Sequence, residues 1–452
     1  MDYLHCKNGA HILLFPFPTS GHIIPILDLA NQLLYRGLTI TILVTPENLK
    51  LLDPLVSTHS SNTLHTLVIP FPSATSFVSK LQASFELSQP ILEFFESHKS
   101  PPLAIISDFF LGWTNQLACQ LGIPRLVFWA SSAKQSLVVD EIWRNLPLPK
   151  EQSMVSFTNL PSSFVLPKWQ ASELVSKYIP GDPFWECFKD TMLSNFKSWG
   201  AVYNSFMDLE DTYVDYINKE MGHDRVFLVG PLLPQGDNLV ESFKRGGSSV
   251  VQECEIVTWL DSKAENSVLY VCFGSRTELP IKQTEALAHA LDKSGVNFIW
   301  CVRGQNQEHI TKEYEDGVSG RGLIIRGWAP QVVILRNKAV GAFVTHCGWN
   351  SILEGISAGV LMLTWPMGAD QFANAKDLID ELGVAEEACE GGQEIVPDVK
   401  TLSELFVMSV SEDCPKREKV LHLRDGAVKA VKKYGSSSKD LDSLVRQLSQ
   451  LK

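Results

Sequence analysis

The sequence predicts an α/β protein made of two similar halves, each organised around a parallel β-sheet. The chain has 452 residues, which suits two domains of the usual size of roughly 100–200 residues each. Short apolar runs alternate with helix-like segments along most of the chain, which is the pattern of parallel strands joined by crossover helices. A polar, turn-rich stretch over residues 231–250 interrupts this alternation, and the same pattern restarts after it.

The first half opens on a strand–helix–strand unit. The apolar run His11–Phe17 predicts a strand, and the segment Ile23–Leu34 carries apolar residues at helical spacing until Gly37 ends it. Leu38–Val44 is rich in β-branched residues and predicts a second strand, which such a unit places parallel to the first. Further strands are predicted at Thr66–Ile69, Leu103–Ser107, Arg125–Trp129, Ala201–Asn204 and Val226–Val229.

The second half repeats the pattern. Helix-like segments are predicted at Ile281–Ser294 and Ser351–Ala358. Near the end of the chain, an amphipathic helix with Leu441, Leu444 and Leu448 on one face follows three serines, 436–438, which are N-cap candidates. The predicted strands of this half are Val268–Phe273, Phe298–Val302, Gly322–Arg326, Val340–Thr345 and Val360–Thr364.

Composition excludes several classes of function. The net charge of −12 argues against nucleic-acid binding, which needs a basic surface to neutralise phosphates. No apolar run reaches the ~18 residues of a membrane span, and the N-terminus does not have the pattern of a signal peptide. The nine cysteines form no C-x-x-C pair, so we expect buried, reduced thiols. We therefore expect a cytoplasmic protein without an integral membrane segment.

One junction after a strand has the features of an anion site. The strand Val340–Thr345 ends in His346, and a helix begins a few residues later. The free N–H groups of a helix start bind anions, and Gly348 permits close approach of the backbone. The side chains of His346, Asn350 and Ser351 add hydrogen-bond donors. The junction therefore predicts a diphosphate site, although the glycine-rich loops of dinucleotide-binding and P-loop proteins are missing from the sequence.

Neighbouring residues suit the rest of a nucleotide sugar. Glu354 lies one helical turn after Asn350, where a carboxylate can accept hydrogen bonds from two ribose hydroxyls. Trp328 offers a flat face for a uracil. Each signal is weak alone, because such junctions are common in α/β proteins and tryptophan more often packs in a core. Ala329 and Gln331 are candidates for the uracil edge, and Asp370 and Gln371 for the sugar hydroxyls.

Taken together, the residues from Trp328 to Gln371 resemble the signature box of plant secondary-product UDP-glycosyltransferases of family 1. WAPQ, HCGWNS, the glutamate four residues after the asparagine, and WP…DQ all stand in register. The segments PFPTSGHIIP, GPLLP, VCFGS and GSSSKDLDSL agree elsewhere, so the resemblance covers essentially the whole chain. The sequence looks most like the flavonoid and benzoate O-glycosyltransferase group, which includes flavonol 7-O-rhamnosyltransferases.

The resemblance implies a GT-B fold, in which two Rossmann-like domains face each other across a cleft. It implies an acceptor-binding domain over 1–235, a linker over 236–250, a UDP-sugar domain over 251–434, and a helix over 435–452 that crosses back to the first domain. By the family pattern, Trp328 stacks on uracil and Glu354 holds the ribose. The diphosphate residues are His346, Asn350, Ser351 and Ser275, and the sugar residues are Trp349, Asp370 and Gln371.

A catalytic pair is expected outside this box. His22 follows the strand His11–Phe17 where the chain enters a helix, and ligands of open α/β sheets bind at the carboxyl ends of strands. An unperturbed histidine pKa of about 6.5 suits removal of a hydroxyl proton. Asp108 follows the strand Leu103–Ser107, where a carboxylate can fix the imidazole tautomer. The two residues resemble the His–Asp dyad of the family, although their spacing in the sequence does not show that they touch.

No metal or other cofactor is expected. Metal-dependent sugar transferases usually carry an Asp-x-Asp motif on a loop after a strand. The motif occurs here at Asp440 and Asp442, inside the predicted last helix, where a solvated helix face is the expected role. A single displacement without a metal would invert the anomeric centre and give a β-glycoside from an α-linked donor.

The identities of the sugar and the acceptor are less determined. In the family, glutamine at the position of Gln371 accompanies glucose, so a hexosyltransferase using UDP-glucose is favoured, and UDP-rhamnose and UDP-xylose remain open. We expect a small phenolic acceptor such as a flavonoid or hydroxybenzoate, and a monomeric enzyme. The candidate pocket residues are Thr19, Ser20, Phe109, Phe110, Trp129 and Trp143, and ordinary core packing is the alternative for each.

Two alternatives come from other classes. One is a catalytically silent protein that binds UDP-sugars, and the presence of both His22 and Asp108 argues against it. The other is an NAD-dependent dehydrogenase, which the missing glycine fingerprint and acidic ribose partner make a poor fit.

Overall fold

The computed structural model describes residues 9–72, 74, 76–149, 151–158, 160–234, 245–246, 251–304 and 306–451. The chain divides into two compact units. The predicted first domain, 1–235, differs from this division because Leu166–Glu173 groups with the second unit. Most of the predicted linker, 236–250, lies outside the described residues. The first unit comprises Met1–Val165, Leu174–Leu233 and Lys429–Lys452, and the second comprises Leu166–Glu173 and Pro234–Val428.

The strands fall into two large parallel sheets and one small pair. The strands of the first unit's sheet are β1 His11–Phe15, β2 Thr39–Val44, β3 Leu64–Val68, β4 Ala104–Asp108, β5 Arg125–Trp129, β8 Gly200–Tyr203 and β9 Val226–Leu228. Between them, β6 Met154–Phe157 and β7 Phe164–Pro167 form the two-stranded sheet. The strands of the second unit's sheet are β10 Val268–Cys272, β11 Asn297–Val302, β12 Gly322–Arg326, β13 Val340–Thr345, β14 Leu361–Thr364 and β15 Ala385–Glu387.

Helices connect the strands in both units. The helices up to the end of β9 are α1 Ser20–Tyr35, α2 Asp53–Thr58, α3 Phe77–Phe85, α4 Ser88–Ser97, α5 Thr114–Leu121, α6 Ala133–Arg144, α7 Glu173–Lys177, α8 Pro183–Ser194 and α9 Met207–Met221. The later helices are α10 Glu253–Asp261, α11 Ile281–Ser294, α12 Asn306–His309, α13 Lys312–Val318, α14 Gln331–Arg336, α15 Trp349–Ala358, α16 Gln371–Lys376, α17 Val399–Ser409, α18 Arg417–Val431 and α19 Ser436–Ser449.

The first sheet has the order β3-β2-β1-β4-β5-β8-β9, and its strands pair in parallel. The chain builds outward from β1 through β2 to β3 and then resumes on the other side of β1 with β4. The strands β1 and β4 are therefore the point where the strand order reverses, and Phe15 at the end of β1 pairs with Ser107, the residue before the end of β4. This is the place where open α/β sheets bind ligands.

The second sheet repeats this topology. Its order is β12-β11-β10-β13-β14-β15, again with parallel pairing. The order reverses between β10 and β13, whose ends at Cys272 and Thr345 lie in register. Every residue of β10 and β13 is buried, as expected for strands covered by helices on both faces. Each unit thus has a Rossmann-like sheet with one reversal point.

The helix α19 completes the core of the first unit. Leu441, Leu444 and Leu448 belong to the same buried cluster as Ile12 and Ile40. The burial of these leucines follows from the amphipathic pattern seen in the sequence.

Two predictions about this helix were wrong, one of them in part. The serines do not cap it, because α19 begins at Ser436 with Gly435 as N-cap and no side-chain cap bond. Ser437 lies two residues past the N-cap position, and its hydroxyl donates instead to the Gly230 carbonyl at 2.5 Å. The predicted solvated face is correct for Asp442, whose side chain is 64% exposed, and wrong for Asp440. Asp440 accepts the Leu228 N–H at 2.8 Å, and partial burial raises its pKa to about 6.

The predicted regular elements agree with the structure to within three residues at their ends. The small sheet of β6 and β7 was not predicted, because each strand is only four residues long and alternates buried with exposed positions. The edge strand β15 was not predicted either, since its sequence AEE has no apolar run. Both omissions are short elements whose formation depends on neighbours distant in the sequence.

The prediction of buried thiols is correct for five cysteines and wrong for three. Cys119, Cys187 and Cys254 are exposed free thiols, whereas Cys272, Cys301, Cys347, Cys389 and Cys414 are buried free thiols. Cys6 lies outside the described residues. Across the described part of the chain, every helix is too short or too polar to cross a membrane.

Candidate active site

His22 and Asp108 meet at the reversal point of the first sheet. His22 lies in the first turn of α1, directly after β1, and Asp108 is the last residue of β4. The Nδ1 atom of His22 lies 2.7 Å from Oδ2 of Asp108. The histidine side chain is 18% exposed and the aspartate side chain is fully buried. The two residues that the sequence placed at the carboxyl ends of two strands are therefore hydrogen-bonded, and the histidine side chain remains partly exposed.

A fixed network holds the Asp108 carboxylate. Its Oδ1 accepts the Phe110 N–H at 3.0 Å, capping the short turn that follows β4. The guanidinium of the buried Arg125 donates to the Asp108 main-chain carbonyl at 3.3 Å and to Asn195 Oδ1 at 3.0 Å. Burial lowers the Arg125 pKa to about 9, against the opposing effect of Asp108. Because each carboxylate oxygen has a donor, the aspartate is held in the orientation that meets His22.

Aromatic rings surround the imidazole. The ring centroids of Phe17, Phe109 and Phe110 lie 5.9, 5.4 and 5.1 Å from that of His22. Phe110 is only partly buried, so part of this apolar wall is accessible. These rings give the histidine a mostly apolar neighbourhood, to which a flat aromatic molecule is suited.

The predicted pocket residues divide into two groups. Trp129 and Trp143 are buried, and Trp129 stacks between Phe109 at 4.6 Å and Tyr203 at 6.2 Å. Both tryptophans are therefore core residues, which was the alternative for them. Thr19 and Ser20 are partly exposed at the start of α1.

In the second unit, His346 lies at the other reversal point. It follows β13, and its ring lies against two glycines: a Cβ on Gly274 or Gly348 would come within 2.5 or 2.6 Å of its Nε2. Gly274 follows β10, the neighbouring strand, and adopts a positive φ of 76°. Only glycine fits either position, because any side chain would collide with the imidazole.

His346 has the properties of a neutral hydrogen-bonding group. Burial lowers its pKa to about 4, so the ring is uncharged at cellular pH. Its buried Nδ1 has no hydrogen-bond partner among the described residues. A buried polar atom without a partner costs free energy, which a bound ligand can recover.

The helix α15 begins directly beyond His346. Gly348 is its N-cap and offers no side chain, so the first N–H groups of the helix have no side-chain cap. Cys347, between His346 and Gly348, has a φ of 62°, an uncommon conformation for a residue with a Cβ. Asn374 holds this turn by donating to the Cys347 carbonyl at 3.0 Å and to Asp370 Oδ2 at 3.0 Å.

Glu354 lies one and a half turns into α15 and both of its oxygens have donors. Gln331 donates to Oε2 at 2.6 Å and to the Ser351 hydroxyl at 2.9 Å. Arg245 forms an ion pair with Oε1. The contact between Gln331, Ser351 and Glu354 unites three of the predicted donor-site residues. The participation of Arg245 was not predicted, since no motif surrounds it.

The remaining predicted donor-site residues lie around this centre. Trp328 follows β12 and is partly exposed, and its buried Nε1 has no hydrogen-bond partner among the described residues. Gln371 Oε1 accepts the N–H groups of Met367 and Gly368 at 2.8 and 3.1 Å, which fixes the loop after β14. The other positions are Ser275, exposed after β10; Ala329, buried beside Trp328; Trp349, buried at the start of α15; and Asn350, partly buried next to it.

Sequence reasoning missed Arg303, Asn374 and Arg245. Arg303 directly follows β11, and its guanidinium lies 4.6 Å from the Trp328 ring centroid. The rule that ligands bind at carboxyl ends of strands would have pointed to Arg303. No such signal exists for Asn374 or Arg245, whose contacts depend on the fold.

Comparison with known proteins agrees with this geometry. A family model described as "UDP-glucoronosyl and UDP-glucosyl transferase" matches residues 248–389. Flavonol 3-O-glucosyltransferase of Arabidopsis thaliana is 43% identical over 472 residues, covering 98% of this chain and 96% of that protein. Flavonol 7-O-rhamnosyltransferase of the same plant is 37% identical over 470 residues, covering 97% of this chain and 98% of that protein.

Solved structures show the same fold. The crystal structure of Arabidopsis thaliana UGT89C1 complexed with UDP-L-rhamnose superimposes with a TM-score of 0.81 at 36% identity, covering 98% of this chain and all of that one. The same protein complexed with quercetin gives a TM-score of 0.80 at 35% identity, with coverage of 98% and 100%. The prediction of a GT-B fold with two Rossmann-like domains is confirmed. The two large sheets share one topology, the signature box stands in register, and the relatives match over nearly their full length. This chain therefore belongs to the plant family 1 UDP-glycosyltransferases, enzymes that transfer a sugar from a UDP-sugar.

Proposed function

We propose that this enzyme transfers glucose from UDP-glucose to a hydroxyl group of a small phenolic acceptor, with inversion and without a metal. The observation that supports this most strongly is the 2.7 Å contact between His22 and Asp108 at the reversal point of the first sheet. A histidine with a buried carboxylate on one nitrogen and an open second nitrogen is suited to general-base catalysis.

The proposed mechanism uses the two nitrogens of His22 differently. Nδ1–H donates to the Asp108 carboxylate, so the proton lies on Nδ1 and the lone pair on Nε2 is available. Nε2 takes the proton of the acceptor hydroxyl as its oxygen attacks the anomeric carbon. The bond from that carbon to the β-phosphate oxygen breaks, and UDP leaves with the bonding electrons. Asp108 stabilises the imidazolium that forms.

The second unit supplies the proposed donor site. Uracil would lie on Trp328, the ribose hydroxyls on Glu354, and the diphosphate at the uncapped start of α15 beside His346. Arg245 forms an ion pair with Oε1 of Glu354, so binding of a ribose hydroxyl at that oxygen requires that this ion pair open. Ser275, Asn350 and Ser351 are further proposed diphosphate residues.

Gln371 supports glucose as the sugar. Its amide oxygen accepts two main-chain N–H groups, which leaves its NH₂ group to donate to a sugar hydroxyl. Asp370 and Trp349 are the other proposed sugar residues. UDP-rhamnose is the alternative donor, because one relative is named a flavonol 7-O-rhamnosyltransferase and one similar structure holds UDP-L-rhamnose. UDP-xylose remains a third donor to test.

The phenolic acceptor is supported by the surroundings of His22. Three phenylalanine rings lie within 6 Å of its imidazole, measured between centroids. The names of two relatives specify flavonols, and UGT89C1 has been solved with quercetin. An aromatic wall beside the base would hold a flat phenol with its hydroxyl near Nε2.

A donor and acceptor panel tests the proposal. UDP-glucose, UDP-rhamnose and UDP-xylose are each incubated with quercetin and with a hydroxybenzoate, and the products are identified by mass spectrometry. We expect glucosides to dominate, in the β configuration by NMR, with an unchanged rate in EDTA. A dominant rhamnoside or xyloside would overturn the sugar assignment. Binding of UDP-sugars without transfer to any acceptor would favour a silent binding protein.

We further propose that the enzyme acts as a monomer in the cytoplasm. Light scattering during size-exclusion chromatography would test the first statement. Microscopy of a fluorescently tagged chain in plant cells would test the second.

A further inference from the structure

The residues proposed so far to contact the diphosphate carry no positive charge. The diphosphate of a UDP-sugar is anionic, and more charge develops on UDP as the glycosidic bond breaks. His346 is neutral because burial lowers its pKa to about 4, and Asn350 and Ser351 are neutral side chains. The start of a helix contributes only about half an elementary charge. A cation would therefore add much to this site.

Arg303 lies where such a cation is needed. It is the first residue after β11, at the carboxyl edge of the second sheet. Its guanidinium carbon lies 4.6 Å from the centroid of Trp328, the proposed uracil platform. It also lines a small cavity together with Gly274, Thr277 and Cys301.

Two residues that line this cavity lie against side chains of the proposed nucleotide site. Gly274 forms one part of its wall and contacts the His346 ring, since a Cβ there would lie 2.5 Å from Nε2. Arg303 forms another part and contacts Trp328. Arg303, which contacts the group proposed for uracil, therefore lines the same cavity as Gly274, which contacts the group proposed for diphosphate.

No carboxylate among the described residues neutralises the positive charge of Arg303. In the described part of the chain, Arg303 forms no ion pair, and its buried Nε has no hydrogen-bond acceptor. The side chain of Arg303 hydrogen-bonds to Cys301. The hydrogen bond from Cys301 and, against the effect of burial, the Arg303 charge lower the pKa of the Cys272 thiol. A partly buried guanidinium that forms no ion pair among the described residues and has an Nε–H without an acceptor is suited to bind an anion.

We propose that Arg303 is a donor-binding residue whose guanidinium binds the diphosphate of the UDP-sugar while it packs on the Trp328 indole. This inference rests on the proposed function, because it assigns Arg303 to the same donor site. Its charge would stabilise both the bound donor and the UDP that departs.

A series of ligands with increasing charge tests the proposal. Binding of uridine, UMP and UDP to the full-length wild type, Arg303→Gln and Arg303→Lys is measured by calorimetry. We expect Arg303→Gln to weaken UDP binding about 10- to 100-fold, to weaken UMP binding less, and to change uridine binding by less than about twofold. Arg303→Lys should recover part of the UDP affinity, since it keeps the charge. Higher ionic strength should narrow the gap between wild type and Arg303→Gln.

Lys263→Gln is the matched control. Lys263 also lies over a tryptophan, with its ammonium 4.7 Å from the Trp259 ring, and that pair is outside the donor site. We expect no change in UDP binding for this variant. Thermal melting of each variant shows whether it folds. If Arg303→Gln does not fold, the test uses Arg303→Lys alone, whose loss of affinity should increase from uridine to UMP to UDP.

Three results would distinguish a wrong assignment of Arg303 from a wrong donor site. An equal loss of affinity for all three ligands in Arg303→Gln would show that Arg303 acts only through the indole, which overturns the proposal. Unchanged UDP affinity would overturn it as well. Wild-type protein that does not bind UDP would instead refute the donor site of the proposed function.

Discussion

His22 and His346 occupy equivalent places in the two units and have opposite environments. Each follows a strand at the reversal point of a parallel sheet and lies at the start of a helix. His22 has a buried carboxylate 2.7 Å from Nδ1. His346 has no partner at its buried Nδ1 among the described residues, and burial lowers its pKa to about 4.

The difference shows that topology fixes where a functional histidine lies, whereas its neighbours fix what it can do. A carboxylate partner stabilises an imidazolium, so His22 can accept a proton. Desolvation without a partner keeps an imidazole neutral, so His346 can only donate or accept a hydrogen bond. The proposed function thus assigns proton transfer to this position in one unit and ligand binding to it in the other.

The largest effect should come from removing the proposed base. We expect His22→Ala to lower the transfer rate from UDP-glucose to quercetin by about 10²- to 10⁴-fold, since general-base catalysis contributes that much. UDP affinity should stay unchanged, because donor binding is assigned to the second unit. Product formation followed by chromatography measures the rate, with His65→Ala on β3 as control. Full activity of His22→Ala would contradict the assignment of His22 as the base, and with it the proposed difference in function between His22 and His346.

Asp108→Asn tests whether the carboxylate distinguishes the two histidines. The amide keeps the size of the side chain but cannot stabilise an imidazolium, so we expect turnover to fall by about 100-fold. Asp190→Asn, at an exposed position of α8, should leave turnover unchanged. Thermal melting of both variants separates lost chemistry from lost folding. Wild-type turnover in folded Asp108→Asn would mean that His22 works without its partner.

The fold could be predicted further from the sequence than the sites could. The inner strands of both large sheets, such as β1, β4, β10 and β13, are mostly apolar and buried, so their positions follow from composition. The contact between His22 and Asp108 follows from topology rather than spacing: β1 and β4 are adjacent only because the strand order reverses there. The resemblance to a family supplied the pairing that the sequence pattern left open.

Several site contacts could not be predicted because they depend on packing between distant segments. Asn374 holds Cys347 and Asp370 through two hydrogen bonds, and no pattern in the sequence connects these three residues. The ion pair of Arg245 with Glu354 joins positions more than a hundred residues apart. The sequence pattern predicted a solvated helix face for Asp440, but this residue accepts a main-chain N–H from β9.

A smaller effect is expected at the second histidine. His346→Gln keeps a polar side chain but misplaces its hydrogen-bonding atoms, so we expect UDP binding to weaken about tenfold. Turnover at saturating UDP-glucose should change less than the affinity. Calorimetry with UDP measures the binding, and His289→Gln, exposed on α11, is the control. A large loss of turnover with unchanged UDP affinity would contradict the assignment of His346 to binding.

The smallest effect concerns acid stability. The pKa of His346 is about 4 in the folded protein and 6.5 in an unperturbed chain, so the unfolded chain binds more protons between those values. Folding stability from this group is therefore present above pH 6.5 and is lost as the pH falls toward 4. Because the ring is partly exposed, we discount the contribution to about 1 kcal/mol.

Urea unfolding at pH 7 and pH 4.5 measures this contribution. His346→Gln should lose less stability on acidification than the wild type, while His289→Gln should behave as the wild type does. Identical pH dependence in His346→Gln and wild type would show that His346 is not a buried neutral group.

The helix α19 has a consequence for biosynthesis. Its leucines complete the core of the first unit, whose strands are made some two hundred residues or more earlier. Ribosomes add roughly 5–20 residues per second, so that core waits for tens of seconds without its last helix. The second unit includes no residue after Val428, so its synthesis is complete before that of the first unit, although most of it is synthesised later. The order in which the two units can be finished is thus the reverse of the order in which they begin, and the first unit is the one that needs protection on the ribosome.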